Sequence, residues 1–250
     1  MPSVFITGAA GFIGVALCRS MRESGWRVVA AVHQRALPVD FPDDIERVSW
    51  SLDDREPCRN GLNNIDVVIH LAGRAHVLKE EAPAPLGVFR SLNVEGTRRF
   101  AEKAARSGVK RFVFISSIGV NGSRSDSGPF TEEDLPRPQE AYAVSKREAE
   151  EMLRLVGQET GMEIVILRPP LVYGPGAPGN FSRLLRLIKR GLPLPLGAFA
   201  RRAFASATAA FAASSAAIAF FFASSFFAGN AALSASASDF TFATSSLVLS

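Results

Sequence analysis

Short apolar runs alternate along the chain with longer segments in which apolar residues recur every three or four positions. The first run, residues 4–7, ends at Gly8 and is followed by Gly11 and Gly14. A helical period begins inside that glycine pattern and predicts a helix over 11–24, with Gly25 as its left-handed stop. Residues 27–32 form a second apolar run. Strand, helix and strand in this order open a parallel, doubly wound sheet.

The alternation continues. A weak third strand is expected at 45–49 and a strong, buried fourth strand at 66–71, ending in Ala72-Gly73. A helical pattern covers 86–107, stopped by Gly108, and contains Asn93 and Gly96. A glycine inside a helix costs about 1 kcal/mol against alanine, so a close packing partner is expected there. A fifth strand, 111–116, ends in Ser116-Ser117, and 121–138 reads as a loop rich in Gly, Ser, Pro and acids. A long helix follows over 140–160, stopped by Gly161, and then a sixth strand over 164–167. Pro169 and Pro170 cannot continue a central strand, so the chain leaves the sheet there. A further amphipathic helix is predicted at 180–190. The fold class is α/β, a Rossmann-type doubly wound parallel sheet with an incomplete or aberrant C-terminal portion.

Composition narrows the class. A chain of 250 residues suits one large domain, or one with a small companion. The net charge of +4 is modest, basic residues are scattered, and no aromatic–basic interleaving marks a nucleic-acid face. Cys18 and Cys58 are the two cysteines; they have no zinc spacing, no metal is expected, and a reduced compartment is the simplest reading. Cys18 falls in the first helix and reads as a small buried hydrophobe. The first strand starts almost at Met1, which leaves no room for a signal peptide and points to the cytoplasm. From residue 203 onward Ala, Ser and Phe dominate and Asp239 is the single charge. A poorly folded low-complexity tail or a slipped reading frame explains this better than a membrane anchor, because the segment is Ser-rich and lacks flanking charge after it. The expected division is an α/β domain at 1–175, a further portion at 176–202 and the tail at 203–250.

Candidate chemistry sits at the ends of the strands. A Gly-rich turn between a strand and a helix N-terminus lets a pyrophosphate approach the backbone, where N–H groups and the helix dipole stabilise its charge. An acid near the end of the second strand would bind the adenosine ribose, but this chain has His33-Gln34-Arg35. That removes the usual argument for NAD over NADP, and His33 or Arg35 could face a 2′-phosphate. Tyr142 and Lys146 stand at i and i+4 early in the long helix and share a face. A phenol is a poor base at neutral pH, and a nearby ammonium favours the phenolate. The pair is therefore a candidate general acid/base for interconverting a hydroxyl and a ketone, with Ser117 able to hydrogen-bond the same oxygen. His70, inside the fourth strand, reads as a packed, hydrogen-bonded residue. Singly, the glycine pattern and the Tyr/Lys pair are common. Together all these groups fall on the carboxyl edge of one sheet, where ligands bind.

In that order the motifs Thr7-Gly8-Ala9-Ala10-Gly11-Phe12-Ile13-Gly14, His70-Leu71-Ala72-Gly73, Asn93-Val94-Glu95-Gly96-Thr97, Ser116-Ser117, Tyr142 with Lys146, and Arg168-Pro169 through Val172-Tyr173-Gly174-Pro175 resemble the extended short-chain dehydrogenase/reductases. Among these the chain looks like the NAD-dependent epimerase/dehydratase group, most of all the UDP-glucose 4-epimerase-like proteins of polysaccharide synthesis, over residues 2–202. The resemblance implies that Gly8, Gly11, Phe12, Ile13 and Gly14 surround the pyrophosphate of NAD. It implies that Leu71, Ala72 and Gly73 lie beside the nicotinamide ribose and that Pro169 packs near the nicotinamide. Ser117, Tyr142 and Lys146 would be catalytic. Asn180, Phe181 and, less closely matched, Arg202 would contact the nucleotide sugar together with Ser117 and Tyr142. The implied reaction is 4-epimerisation of a nucleotide sugar through a 4-keto intermediate, in a homodimer. A one-way 4-keto-sugar reductase using NAD(P)H shares every motif. A dinucleotide-binding protein without turnover is the remaining alternative, because the family continues past Arg202 with elements that the anomalous tail replaces.

Overall fold

A computed structural model of the chain describes residues 1–33, 37–39, 41–54, 61–75, 85–124, 129–131, 133–170, 172 and 186. The chain divides into two compact units, Met1–Pro170 and Leu171–Ser250, and every element below belongs to the first. The helix expected at 180–190, the tail, Arg35, Cys58, Tyr173, Asn180, Phe181 and Arg202 fall outside the described residues.

Six strands form one wholly parallel sheet: β1 (Ser3–Thr7), β2 (Arg27–Val32), β3 (Glu46–Ser49), β4 (Val67–His70), β5 (Arg111–Ile115) and β6 (Glu163–Leu167). Their order across the sheet is β3-β2-β1-β4-β5-β6. The order reverses between β1 and β4, and a crevice for a ligand opens above such a switch point. All of β1 and β4 is buried, as expected of central parallel strands covered on both faces. In register, Thr7 lies beside His70 on β4 and beside Ala31 on β2.

The helices follow from apolar spacing. In α1 (Phe12–Glu23) the buried positions Gly14, Leu17, Cys18 and Met21 form one stripe. Cys18 is completely buried, and burial pushes its thiol up to about 12, so it serves as a core residue. In α3 (Thr97–Arg106) the buried positions are Thr97, Phe100, Ala101 and Ala104. The long α4 (Ala141–Thr160) buries Ala143, Lys146, Ala149, Glu150, Leu153 and Val156, and Gly161 closes it at φ +74°. Phe5, Val29, Val68, Phe100, Phe112, Phe114 and Leu153 belong to one core cluster.

The segment expected as one helix over 86–107 is not uniform. It consists of α2 (Pro85–Phe89), a π-helical stretch over Arg90–Gly96 and then α3. Gly96 has the close packing partner expected of a mid-helix glycine: a Cβ there would lie 2.5 Å from the Leu52 carbonyl oxygen. The wider π turns also carry Asn93, whose buried amide bonds outward rather than to its own helix. Apolar period alone does not distinguish α from π turns.

Substituting G96A should destabilise the chain by about 1–3 kcal/mol through overpacking against Leu52, measured as a lowered denaturant midpoint at unchanged slope.

Candidate active site

The glycine turn is built for close approach to the backbone. Gly8 has φ +66°, and a Cβ there would meet the Ala72 nitrogen at 3.0 Å. At Gly14 a Cβ would lie 2.2 Å from the Gly8 carbonyl oxygen, so α1 can start against the turn only with glycine there. Gly11 is the N-cap of α1 and offers no side-chain cap, which leaves the first N–H groups of the helix to a ligand or water. Phe12 and Ile13 are half-buried in that first turn. These features fit a pyrophosphate at the turn.

Across the crevice, Thr7 joins the turn to the end of β4. Its hydroxyl oxygen accepts hydrogen bonds from the backbone N–H of Leu71 and of Ala72, both at 3.1 Å. With both lone pairs used, its own hydrogen is donated to His70 Nδ1 at 2.9 Å. The His70 proton therefore sits on Nε2 and is donated to Thr97 Oγ1 at 3.1 Å. Burial, with the Lys146 ammonium adding to it, pushes His70 down to about 3. His70 is thus the neutral, packed residue its strand position implied.

Beyond Ala72, Asn93 holds the loop. Its Oδ1 accepts from the Arg74 N–H at 2.8 Å, and its Nδ2 donates to the Arg74 carbonyl and to Ser145 Oγ, each at 3.1 Å. Ser145 donates onward to the Tyr142 carbonyl at 2.7 Å. The loop after β4 and the helix carrying Tyr142 are thereby tied through one amide. Sequence reasoning noted Asn93 without a role; a polar residue inside an otherwise apolar helical stripe was the available signal.

Lys146 lies at the centre. It is buried, donates to the Ile115 carbonyl at 2.9 Å and sits 4.5 Å from the Phe114 ring centroid. A Cβ placed on Gly73 would come within 3.3 Å of Lys146 Nζ, which brings the glycine of the β4 turn onto the lysine of α4. Tyr142 packs edge-on against Phe89, and Lys146 Nζ is 5.9 Å from the Tyr142 ring centroid. Ser117, half-buried after β5, accepts from the Gly119 N–H at 3.2 Å. A Cβ on Gly119 would touch both Ser117 Oγ at 3.4 Å and the Ala143 Cβ at 3.5 Å, so Ser117 stands beside the first turn of α4. Pro169 accepts from the Ile118 N–H at 3.1 Å, which links the ends of β5 and β6.

One expectation is corrected. The Tyr142 phenol is not held below its ordinary value: burial pushes it up. Lys146 donates to the Ile115 carbonyl, and burial brings the ammonium itself down to about 8, with the Glu150 carboxylate opposing that fall. On the other flank, His33 is exposed at the end of β2, and Asp53, beyond β3, lies within its electrostatic reach.

With the crevice, the glycine turn and the Ser/Tyr/Lys cluster in place, comparison with known proteins is direct. Residues 4–220 match the model of the NAD dependent epimerase/dehydratase family, and the chain belongs to that family. It is 40% identical over 198 residues to the UDP-glucose 4-epimerase of Vibrio cholerae, a match covering 78% of this chain and 59% of that protein. It is 30% identical over 194 residues to the ceramide reductase of Caulobacter vibrioides (strain NA1000 / CB15N), covering 77% and 53%. The solved structure of MoeE5 in complex with UDP-glucose and NAD superposes with a TM-score of 0.62 at 35% identity, over 77% of this chain and 62% of that one. The chain therefore spans between about half and three-fifths of the length of these relatives. Among the described residues no group of acidic, His or Cys side chains forms a metal site, and no helix is long and apolar enough to cross a membrane.

Two outcomes are expected at this site. The His70 ring nitrogens should show the Nε2–H tautomer by 15N NMR, unchanged from pH 7.5 to 5. Because the folded ring stays neutral to about 3 while the unfolded one takes a proton near its ordinary 6.5, folding stability should fall as pH drops between those values. This residue alone contributes up to about 1.4 kcal/mol per pH unit, read from urea unfolding of wild type against H70Q.

Proposed function

We propose that the chain carries the NAD-binding and catalytic half of a nucleotide-sugar 4-epimerase, acting on UDP-glucose or UDP-N-acetylhexosamine-type substrates through a transient 4-keto sugar. The observation that carries this reading is the meeting of Gly73 and Lys146 Nζ, within 3.3 Å of a common point, because it joins a dinucleotide crevice to an acid/base pair. The family membership and the NAD-bound relative support the cofactor. When bound, the dinucleotide supplies a reversible hydride acceptor.

The chain's residues do the rest. The turn at Gly8, Gly11 and Gly14 receives the pyrophosphate, and Leu71, Ala72 and Gly73 with Pro169 bound the nicotinamide end. Tyr142 Oη takes the proton from the sugar C4 hydroxyl and returns it after the ring has turned. In the free protein the phenol is raised by burial, so Tyr142 becomes a base only once positive charge arrives next to it. Lys146, lowered to about 8, contributes its own charge below pH 8 and loses it above, and the oxidised nicotinamide ring would add the rest. Ser117 orients the reacting oxygen. Asn180, Phe181 and Arg202 would hold the nucleotide-sugar phosphates, and residues 176–202 would begin the substrate portion.

A ceramide reductase among the relatives favours a second reading, a one-way ketone reductase using NAD(P)H on the same three residues. A third reading is dinucleotide binding without turnover. The purified 250-residue protein, incubated with NAD⁺ and UDP-glucose or UDP-N-acetylglucosamine, should interconvert the C4 epimers without net cofactor change. Stoichiometric consumption of added NAD(P)H with 4-keto sugars would instead identify the reductase. Calorimetric NAD⁺ binding with no sugar binding would identify the third reading.

Y142F should lower kcat by about 10²- to 10⁴-fold while NAD⁺ still binds, and the alkaline limb of the kcat profile should bend near pH 8.

A further inference from the structure

Glu150 is completely buried, one helical turn beyond Lys146. Arg168 grips its carboxylate in a fork, Nε to Oε1 at 2.8 Å and Nη2 to Oε2 at 2.6 Å. Ser116 Oγ donates to Oε1 at 2.6 Å, and Arg168 Nη1 donates to Asn121 Oδ1 at 3.1 Å. Arg147 and Arg154 flank the same carboxylate at 3.9 and 3.8 Å. Each partner in the fork immediately precedes a site residue. Ser116 is next to Ser117, Arg168 is next to Pro169, and Glu150 shares its helix face with Lys146.

A buried ion pair is a poor source of stability, because apolar residues of similar volume serve as well or better. Its geometry is more informative: a planar fork accepts one orientation only. We propose that the Glu150–Arg168 pair is the positioning element of the catalytic face, locking the carboxyl ends of β5 and β6 to α4 so that Ser117, Lys146 and Pro169 keep one mutual arrangement. The inference rests on the epimerase-type reading for the roles of those three residues.

The same carboxylate acts on Lys146. The groups facing that ammonium are neutral His70 from β4, the Ile115 carbonyl and Phe114 ring from β5, the Asn93 amide from the π-helical stretch, and Tyr142 and Glu150 from α4. Among the described residues, Glu150 is the carboxylate that opposes the loss of its proton by burial.

The test uses the full chain and two readouts. The first is the midpoint for acetylation of Lys146 against pH, followed by peptide mass spectrometry, which needs neither substrate nor cofactor. The second is NAD⁺ affinity by calorimetry. E150Q removes the charge and leaves one amide oxygen to accept where two carboxylate oxygens did, so the Lys146 midpoint should fall by about one pH unit and NAD⁺ should bind more weakly. R168K keeps the charge and breaks the fork, so NAD⁺ should bind at least about tenfold more weakly while the Lys146 midpoint stays. The double variant E150L/R168M should fold, as judged by circular dichroism and melting, yet show both defects. A folded E150Q with the wild-type midpoint, or a folded R168K or double variant with wild-type NAD⁺ affinity, overturns the proposal. If wild type itself fails to bind NAD⁺, the functional reading fails and the Lys146 midpoint in E150Q and in the double variant still decides the role of the pair.

Discussion

The hydroxyl of Thr7 is the tie on which the crevice depends. It closes the gap between β1 and β4 at the point where strand order reverses, accepting the Leu71 and Ala72 N–H groups at 3.1 Å each. Those two donors lie past the end of the β4 ladder, partly buried, and Thr7 is the acceptor they meet there. Satisfying them from β1 fixes the path of Ala72-Gly73 against Gly8. The geometry in turn demands a neutral His70, because a hydroxyl with both lone pairs engaged can only donate onward.

Around this tie the wall of the site holds two buried charges one helical turn apart. Lys146 loses much of its hold on a proton through burial, and Glu150 limits that loss. Glu150 is itself compensated by Arg168 and flanked by Arg147 and Arg154. This face is thus a graded set of polar groups rather than a lone tyrosine and lysine on a helix. Desolvation raises the phenol and lowers the ammonium, so burial disfavours the charged form of both groups and moves their titrations apart.

Much of this was legible in the order of residues. β2 begins and ends at the residues its apolar run implied, and α1 and α4 stop at the glycines that mark them. The glycine turn was readable because only glycine fits so close to the Ala72 and Gly8 backbone. The π-helical stretch was not, because apolar period is shared by α and π turns, and the Leu52 carbonyl that packs on Gly96 is 44 residues away in the chain. Glu150 and Arg168 were equally hidden: a charged residue on an apolar helix face gives no sign of a partner at the far end of β6.

The sequence by itself determined the alternation of strands and helices, the parallel sheet and the residue types at its carboxyl edge, since local period, turn chemistry and steric demand are properties of neighbouring residues. Only the tertiary structure decided which atoms the polar side chains meet. Lys146 turns to Ile115, Asn93 binds Arg74 and Ser145, and Glu150 binds Arg168, because hydrogen bonds and desolvation depend on distances between segments that the chain order leaves open.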